Sequence, residues 1–213
     1  MGNKAHTQQN TLIYPEFSPI VSEHWFQPEF WQDKITGRPS GGRGNSFFIK
    51  VNNMELVLRH YCRGGQMAKI NKDKYLFLGS SRTRGFAEFK LHSYLFDLGL
   101  PVAKPVATRF VKSGLFYTGD YLCEKIPDSQ TLAQYLIENK DFEILKKVKK
   151  TLDRFQKIGL NHVDLNAHNI LLTKNQIYLL DFDKCNLNGT AKTNKKNLGR
   201  LLSSINKVLY KTV

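Results

Sequence analysis

Residues 162–169, His-Val-Asp-Leu-Asn-Ala-His-Asn, run directly into two short apolar stretches. These are Ile170-Leu171-Leu172 and Ile177-Tyr178-Leu179-Leu180, and the second ends on Asp181. Both are partly β-branched, and only the polar Thr173-Lys174-Asn175-Gln176 separates them, which predicts an antiparallel hairpin with a tight turn. In such a hairpin the residue before the first strand faces the residue after the second. Asn169 and Asp181 then lie side by side, with Asp164 on the irregular loop just before them. A loop in which Asp and Asn only make turns is the plain alternative. Four specified residues at fixed spacing arise by chance in a chain of this length with a probability of about 0.001, which disfavours it.

The three side chains suit one chemistry. In phosphoryl transfer a carboxylate accepts the proton of an attacking hydroxyl, while an amide and a second carboxylate hold a divalent cation against the nucleotide phosphates. Hard Mg²⁺ prefers such oxygen ligands and completes its shell with water and phosphate oxygens. On this reading Asp164 is the catalytic carboxylate, Asn169 and Asp181 are the metal ligands, and ATP with Mg²⁺ is the donor.

The 213 residues suit one substantial domain or two small lobes, and a hydrophobic content of 41% is enough for a core. Cys62, Cys123 and Cys185 are odd in number and far apart, suggesting neither a disulfide framework nor a zinc site and fitting a reducing compartment. The start, Met-Gly-Asn-Lys-Ala-His, carries no apolar signal region and is a poor myristoylation match, and no stretch approaches the length of a membrane span. The net charge of +14 asks for an anionic partner, with Lys and Arg densest at 146–150 and 192–200. Neither zinc-finger spacing nor an aromatic RNA-binding signature accompanies it, so nucleic acid is not the expected partner.

Residues 1–40 are polar and broken by Pro15, Pro19, Pro28 and Pro39, and read as an N-terminal extension. Their aromatic run at 24–31 is expected to pack on the protein, with lipid as the alternative. Gly41, Gly42 and Gly44 form a glycine turn leading into strands at 47–51 and 56–61, and could let backbone N–H groups approach phosphates. A helix follows at 83–98, with Leu91, Tyr94, Leu95 and Leu98 on one face, Phe86 near the same stripe, and Glu88 on board. Strands are expected at 106–112 and 115–125, then amphipathic helices at 131–139, 142–158 and 198–210. The last has Leu198, Leu201, Leu202, Ile205 and Leu209 as its core stripe. The architecture is α+β: a β-rich N-lobe with one long helix over 41–126 and a compact helical C-lobe with the loop and hairpin over 127–213. That order suits two lobes with a nucleotide cleft between them.

Segments 162–169 and 181–183 resemble the catalytic and metal-binding segments of the protein-kinase-like fold. With Gly-Gly-Arg-Gly at 41–44, Leu-Arg-His-Tyr-Cys-Arg-Gly-Gly at 58–65, Phe-Ala-Glu-Phe at 86–89 and Gly-Leu-Pro-Val-Ala-Lys-Pro-Val at 99–106, the chain is more similar still to the lipopolysaccharide kinases. These include the kinases of 3-deoxy-D-manno-octulosonic acid (Kdo). The resemblance covers residue 40 to the C-terminus. It implies transfer of the ATP γ-phosphate to the 4-hydroxyl of a Kdo residue on lipid A or its precursor. Asp164 would be the base, and Asn169 and Asp181 would hold Mg²⁺. Glu88 would pair with the cation gripping the α/β-phosphates, and the backbone from Glu124 to Ile126 would receive the adenine.

Three departures from protein kinases bear on this. The strand lysine is replaced by Arg59, a planar fork and not a point charge, with Lys69 as the other candidate for that role. Val163 precedes Asp164 where protein kinases carry Arg, which argues against control by a phosphorylated activation loop. Asp183 stands where glycine is usual and either adds a metal contact or caps the loop. His162 is expected to be structural. Because the chain ends about thirty residues past Asp181, a peptide-seating segment is not expected, and a small or lipid-linked acceptor is. Another sugar acceptor, of heptose or aminoglycoside type, and a non-catalytic kinase-like module on an anionic membrane are the alternatives. The partners implied are a Kdo-bearing lipid A precursor and an anionic membrane surface, reached peripherally from the cytoplasmic face of the bacterial inner membrane.

Overall fold

A computed structural model describes residues 6–8, 10–39, 46–51, 53–63 and 73–210. Gly42, Gly44 and Lys69 lie outside these residues. The chain forms two compact units, residues 1–93 with 104–125, and residues 94–103 with 126–213.

The first unit is built on an antiparallel sheet. Its strands are β1 (His6–Gln8), β2 (Thr11–Ile13), β3 (Ile35–Gly37), β4 (Ser46–Val51), β5 (Met54–His60), β6 (Tyr75–Leu76), β7 (Pro105–Ser113) and β8 (Phe116–Glu124). The order across the sheet is β1-β2-β7-β8-β5-β4-β3, with β6 also paired to β8. Residues 1–40 are therefore not a separate extension: β2 pairs with β7, Thr11 opposite Arg109, and the short helix α1 (Pro28–Trp31) belongs to the same unit. The prolines do stop long helices here. Pro15 and Pro28 open short helical turns, where a missing N–H costs nothing.

Strand alternation divides the sheet's side chains between two faces. Arg59 lies opposite Tyr121 on the adjacent strand, and Thr108 opposite the same Tyr121, so these three share one face. That face packs on helix α2 (Arg84–Asp97), whose Phe89 and His92 meet Tyr121 at ring-centroid distances of 6.1 and 6.0 Å. The other face carries Leu58, His60, Arg109 and Asp120. It is covered from the N-terminal segment, where Arg109 stacks 4.9 Å from the Phe26 ring and Trp31 Nε1 donates to the Trp25 carbonyl at 2.9 Å. Trp25, Phe26 and Trp31 are buried, so this aromatic run packs on the protein. His60 Nδ1 sits 2.6 Å from Asp120 Oδ1, and this bond raises the imidazole above its usual range against the opposing cost of burial.

The predicted face of α2 needs correction. Leu91, Tyr94 and Leu98 do not form the core stripe; Tyr94 and Leu98 are exposed, and the buried positions are Gly85, Phe86, Glu88, Phe89, His92 and Leu95. Two of these are polar but bonded, which is what permits their burial.

The second unit holds a small sheet, β11 (Ile177–Leu179), β10 (Ile170–Leu172) and β9 (Gln130–Thr131), with helices α3 (Leu132–Asn139), α4 (Ile144–Lys157) and α5 (Ala191–Tyr210). Thr131 caps α3 through a reciprocal box with Gln134. Helix α5 starts seven residues before the expected position and buries Asn197, Leu201 and Ile205, while Leu202 is exposed. Six cations and one acid lie on α4, and five cations and no acid on α5. Among the described residues no helix is long and apolar enough to cross a membrane.

Gly85 shows how closely α2 approaches the sheet. A Cβ there would collide with Thr108 Oγ1, which cannot simply turn away because it donates to the Asp120 carbonyl at 2.8 Å. Ala favours a helix over Gly by about 1 kcal/mol, whereas overpacking costs about 1–3 kcal/mol. Gly85→Ala should therefore lower the thermal midpoint by about 2–6 °C in a melting experiment. A higher midpoint would mean that the contact yields freely.

Candidate active site

In the second unit the hairpin forms in the predicted register, Ile170 opposite Leu179 and Leu172 opposite Ile177. The Leu180 N–H donates to the Asn169 carbonyl at 2.9 Å, and the Leu180 carbonyl accepts from His162 Nε2, also at 2.9 Å. One residue, Leu180, thus ties the end of the hairpin to both ends of the 162–169 loop, and Asp181 follows it immediately. Asp181 adopts the left-handed conformation (φ 61°), which Asp tolerates better than most residues but which still costs energy outside glycine.

The loop is held from within by amides. The Asp164 carbonyl accepts from Asn169 Nδ2 at 2.9 Å and Asn166 Nδ2 at 3.0 Å. Asn166 Oδ1 in turn accepts the N–H groups of His168 and Asn169 at 2.9 and 3.2 Å. From outside, Ala167 N–H donates to Ser204 Oγ on α5 at 3.1 Å, and its carbonyl accepts from Ala133 N–H on α3. The Asp164 residue is exposed while its backbone is fixed. Because Asn169 spends its Nδ2 on that backbone, its Oδ1 is the end left to act as a ligand.

His162 is structural, as its neighbours dictate. Burial holds its imidazole below the usual range, its ring meets buried Phe182 edge-on at 5.7 Å, and the neutral ring donates from Nε2. Asp183 and Lys184 form the turn after Phe182, with Lys184 also left-handed and Cys185 N–H donating to the Phe182 carbonyl at 3.0 Å.

Asn169 and Asp181 offer two oxygen donors, and among the described residues no group of three or more His, Cys, Asp or Glu is placed to hold a metal. A closed protein cage is the wrong comparison. Mg²⁺ in phosphoryl transfer takes one or two protein oxygens and draws the rest from phosphates and water, and this donor set fits it.

In the first unit, Arg59 on β5 forms an ion pair with buried Glu88 on α2, and Tyr61 donates to the other Glu88 oxygen at 2.5 Å. Arg59 also lies 4.9 and 5.3 Å from the Tyr61 and Tyr121 ring centroids. Burial, and then the Glu88 charge, push the Tyr61 phenol well above its usual range, so it remains a donor. Sequence reasoning missed Tyr61 and Asn166. Tyr61 stands two residues from Arg59, just past the end of β5, and Asn166 lies inside the loop motif, so spacing alone could have flagged both.

The Glu124 N–H donates to the Lys104 carbonyl at 2.9 Å and the Lys125 N–H to the Glu55 carbonyl at 2.8 Å, while the Ile126 carbonyl accepts from Ser129 Oγ at 2.8 Å. Burial raises the Glu124 carboxyl, with Lys104 opposing. Burial also pushes the neighbouring Cys123 thiol up to about 12, which leaves it inert.

Residues 28–211 match the family model described as the lipopolysaccharide kinase (Kdo/WaaP) family. Over 194 residues the chain is 42% identical to the 3-deoxy-D-manno-octulosonic acid kinase of Vibrio parahaemolyticus, covering 89% of this chain and 81% of that protein. The kinases of the same name from Vibrio cholerae and Xylella fastidiosa strain M12 are 37% and 38% identical, covering 86% of this chain in each case and 80% and 74% of the relatives. Among solved structures, WaaP in complex with acyl carrier protein superposes with a TM-score of 0.53 at 11% identity, over 90% of this chain and 88% of that one. The α+β, two-lobed kinase-like fold expected from the sequence is the fold observed.

The Arg59–Glu88 pair generates a stability prediction. Exposed pairs contribute about 0–1 kcal/mol and removal of one partner of a buried pair costs about 3–5 kcal/mol, so Arg59→Ala at this half-buried site should cost about 2 kcal/mol. Adding Glu88→Gln should return part of it, because the stranded buried carboxylate is gone. Denaturant titration of the four-member cycle measures the coupling, and additive losses would show that the pair is not energetically linked.

Proposed function

The chain belongs to the lipopolysaccharide kinase (Kdo/WaaP) family, and we propose that it transfers the ATP γ-phosphate to the 4-hydroxyl of a Kdo residue carried on a lipid A precursor. The observation that carries this reading is the fixed loop of the second unit. There Asp164 is exposed on a backbone clamped by Asn169, and Asp181 follows Leu180, the residue bonded to both ends of that loop.

Each residue has a role on this proposal. Asp164 orients the acceptor hydroxyl and takes its proton as the new oxygen–phosphorus bond forms. The bond from the γ-phosphorus to the β–γ bridging oxygen breaks, and ADP leaves. Asn169 Oδ1 and Asp181 would hold Mg²⁺, which when bound neutralises charge on the phosphates. Arg59, locked by Glu88 and Tyr61, presents a permanent cation to the α/β-phosphates. Because Glu124 and Lys125 commit their N–H groups to Lys104 and Glu55, Ile126 is the residue assigned to donate to adenine. Gly42 and Gly44 are assigned to the phosphate-covering turn. The basic charge, concentrated on α4 and α5, supports peripheral association with an anionic membrane on the cytoplasmic face of the inner membrane.

The test is transfer of label from γ-labelled ATP in the presence of Mg²⁺ to a Kdo-bearing lipid A precursor, with the Kdo-free precursor as control. Label on the Kdo-bearing lipid alone supports the proposal; equal labelling of both, or of neither, rejects the acceptor. Asp164→Ala should lower turnover by about 10²–10⁴-fold. Asp181→Asn should remove most activity without unfolding the protein. Arg59→Ala should impair nucleotide use more than Lys69→Ala, and the reverse ranking would move the phosphate grip to Lys69.

A further inference from the structure

The first unit carries its exposed apolar surface in one place. Seven large apolar side chains are exposed among its described residues, and five of them, Leu76, Leu78, Val111, Leu115 and Phe116, come from β6, the end of β7, the start of β8 and the chain beside them. Pairing brings these segments together: Leu76 is opposite Phe116, Ser113 is opposite Phe116, and the Phe77 N–H donates to the Leu115 carbonyl at 2.9 Å. Alternation puts Leu76, Val111 and Phe116 on the sheet face away from α2, and Leu115 projects from the turn with 74% of its surface exposed. The backbone here is not loose. Beneath the tip, Phe77, Phe110 and Tyr117 form a ring cluster with centroids 5.4 to 6.3 Å apart, so the exposed side chains stand on a rigid base.

The charge around this tip is mainly positive. Residues 74–87 and 105–119 contain Lys74, Arg82, Arg84, Arg109 and Lys112 and no acid, while the bordering Asp73, Glu88 and Asp120 are bonded to His60, Arg59 and Arg109. Lys112 is exposed beside Val111 in the strand, on the opposite face, with its ammonium 5.0 Å from the Phe77 ring centroid, and Lys74 is exposed two residues before Leu76, so both cations stand at the tip. Leucine and phenylalanine at the apex with a lysine and arginine border match the interface of an anionic bilayer, where apolar groups reach the acyl boundary and cations meet headgroups. We propose that this β6–β8 tip is the membrane-insertion surface, taking an anionic phospholipid bilayer as its partner. The proposal rests on the kinase reading only in that a lipid-borne acceptor gives docking its purpose.

The experiment uses the full chain, with Leu115→Ser and the double variant Leu115→Ser/Phe116→Ser. Both positions are solvent-facing, and a melting curve checks folding. Sedimentation with phosphatidylglycerol vesicles and with phosphatidylcholine vesicles reads binding. Label transfer to the Kdo-bearing precursor in vesicles, and to its deacylated form in solution, reads activity. Burying one large apolar side chain is worth about tenfold in partitioning. The single variant should therefore bind phosphatidylglycerol vesicles about tenfold more weakly, and the double variant more weakly again. Transfer to the vesicle-borne acceptor should fall in step, while transfer to the deacylated acceptor is unchanged. Unchanged vesicle affinity in the double variant overturns the proposal, as does wild-type binding that salt abolishes completely, which would be charge attraction alone. A wild-type dimer that the variants split also overturns it, because a second copy would then cover the tip. Wild-type protein that labels neither acceptor rejects the kinase reading, and the vesicle arm still decides the surface.

Discussion

A carboxylate that is almost wholly removed from water needs partners, and among the described residues Glu88 has partners of opposite kinds. Arg59 of β5 neutralises it and Tyr61, the residue that follows β5, donates to it, so one side chain of α2 fixes the helix against that strand and its end. Much of the first unit follows from that contact. It sets which face of α2 is inward, which face of the sheet meets the helix, and therefore which face is left for the N-terminal segment to cover. A buried ion pair adds little net stability, because desolvation offsets attraction. What it supplies here is direction: an arginine with a planar fork, stacked on two tyrosine rings, has few ways to point.

The second unit obtains the same result without a buried charge. Its 162–169 loop is fixed by neutral amides and peptides, with Asn166 and Asn169 closing on the Asp164 carbonyl and His162 bonding the Leu180 carbonyl. This division has a chemical logic. Asp164, the proposed proton acceptor, is left solvated on a rigid backbone, whereas Arg59, proposed only to remain charged, is partly buried against a carboxylate. The strain at Asp181, left-handed though not glycine, is local to the residue that leaves the hairpin, the one proposed to hold the metal.

The 170–180 hairpin, the helix at 131–139 and the strands β7 and β8 were legible because each is local: an apolar run of the right period, bounded by turn residues, records them. The face of α2 was not. Pattern reading placed Leu91, Tyr94 and Leu98 inward, since it counts apolar residues, whereas the true inner face includes Glu88 and His92, whose burial depends on Arg59, Tyr61 and Tyr121 elsewhere in the chain. The start of α5 failed for a related reason. Its first two turns hold Lys192, Lys195 and Lys196 and bury only Asn197, so no apolar period announces them. β2 was missed because three residues carry almost no strand signal, and their partner lies about a hundred residues further on.

The N-terminal aromatic run illustrates how the same composition can serve two ends. Trp25, Phe26 and Trp31 were expected to pack on the protein, with a lipid anchor as the alternative, and what makes the cover necessary is the polar cluster beneath. Arg109 bonds Asp120 at 2.9 Å and the Glu23 carbonyl at 3.2 Å, while its guanidinium faces the Phe26 ring. Asp120 is buried with His60 and Arg109 as partners, and an uncovered sheet would leave that network competing with water. The cover is thus needed at the centre of the sheet. At the distal end the inner ring cluster of Phe77, Phe110 and Tyr117 already supports the strands, and no buried charge lies on the outer face there. That end is consequently where apolar side chains can be exposed without loosening the unit, and where a partner can meet them.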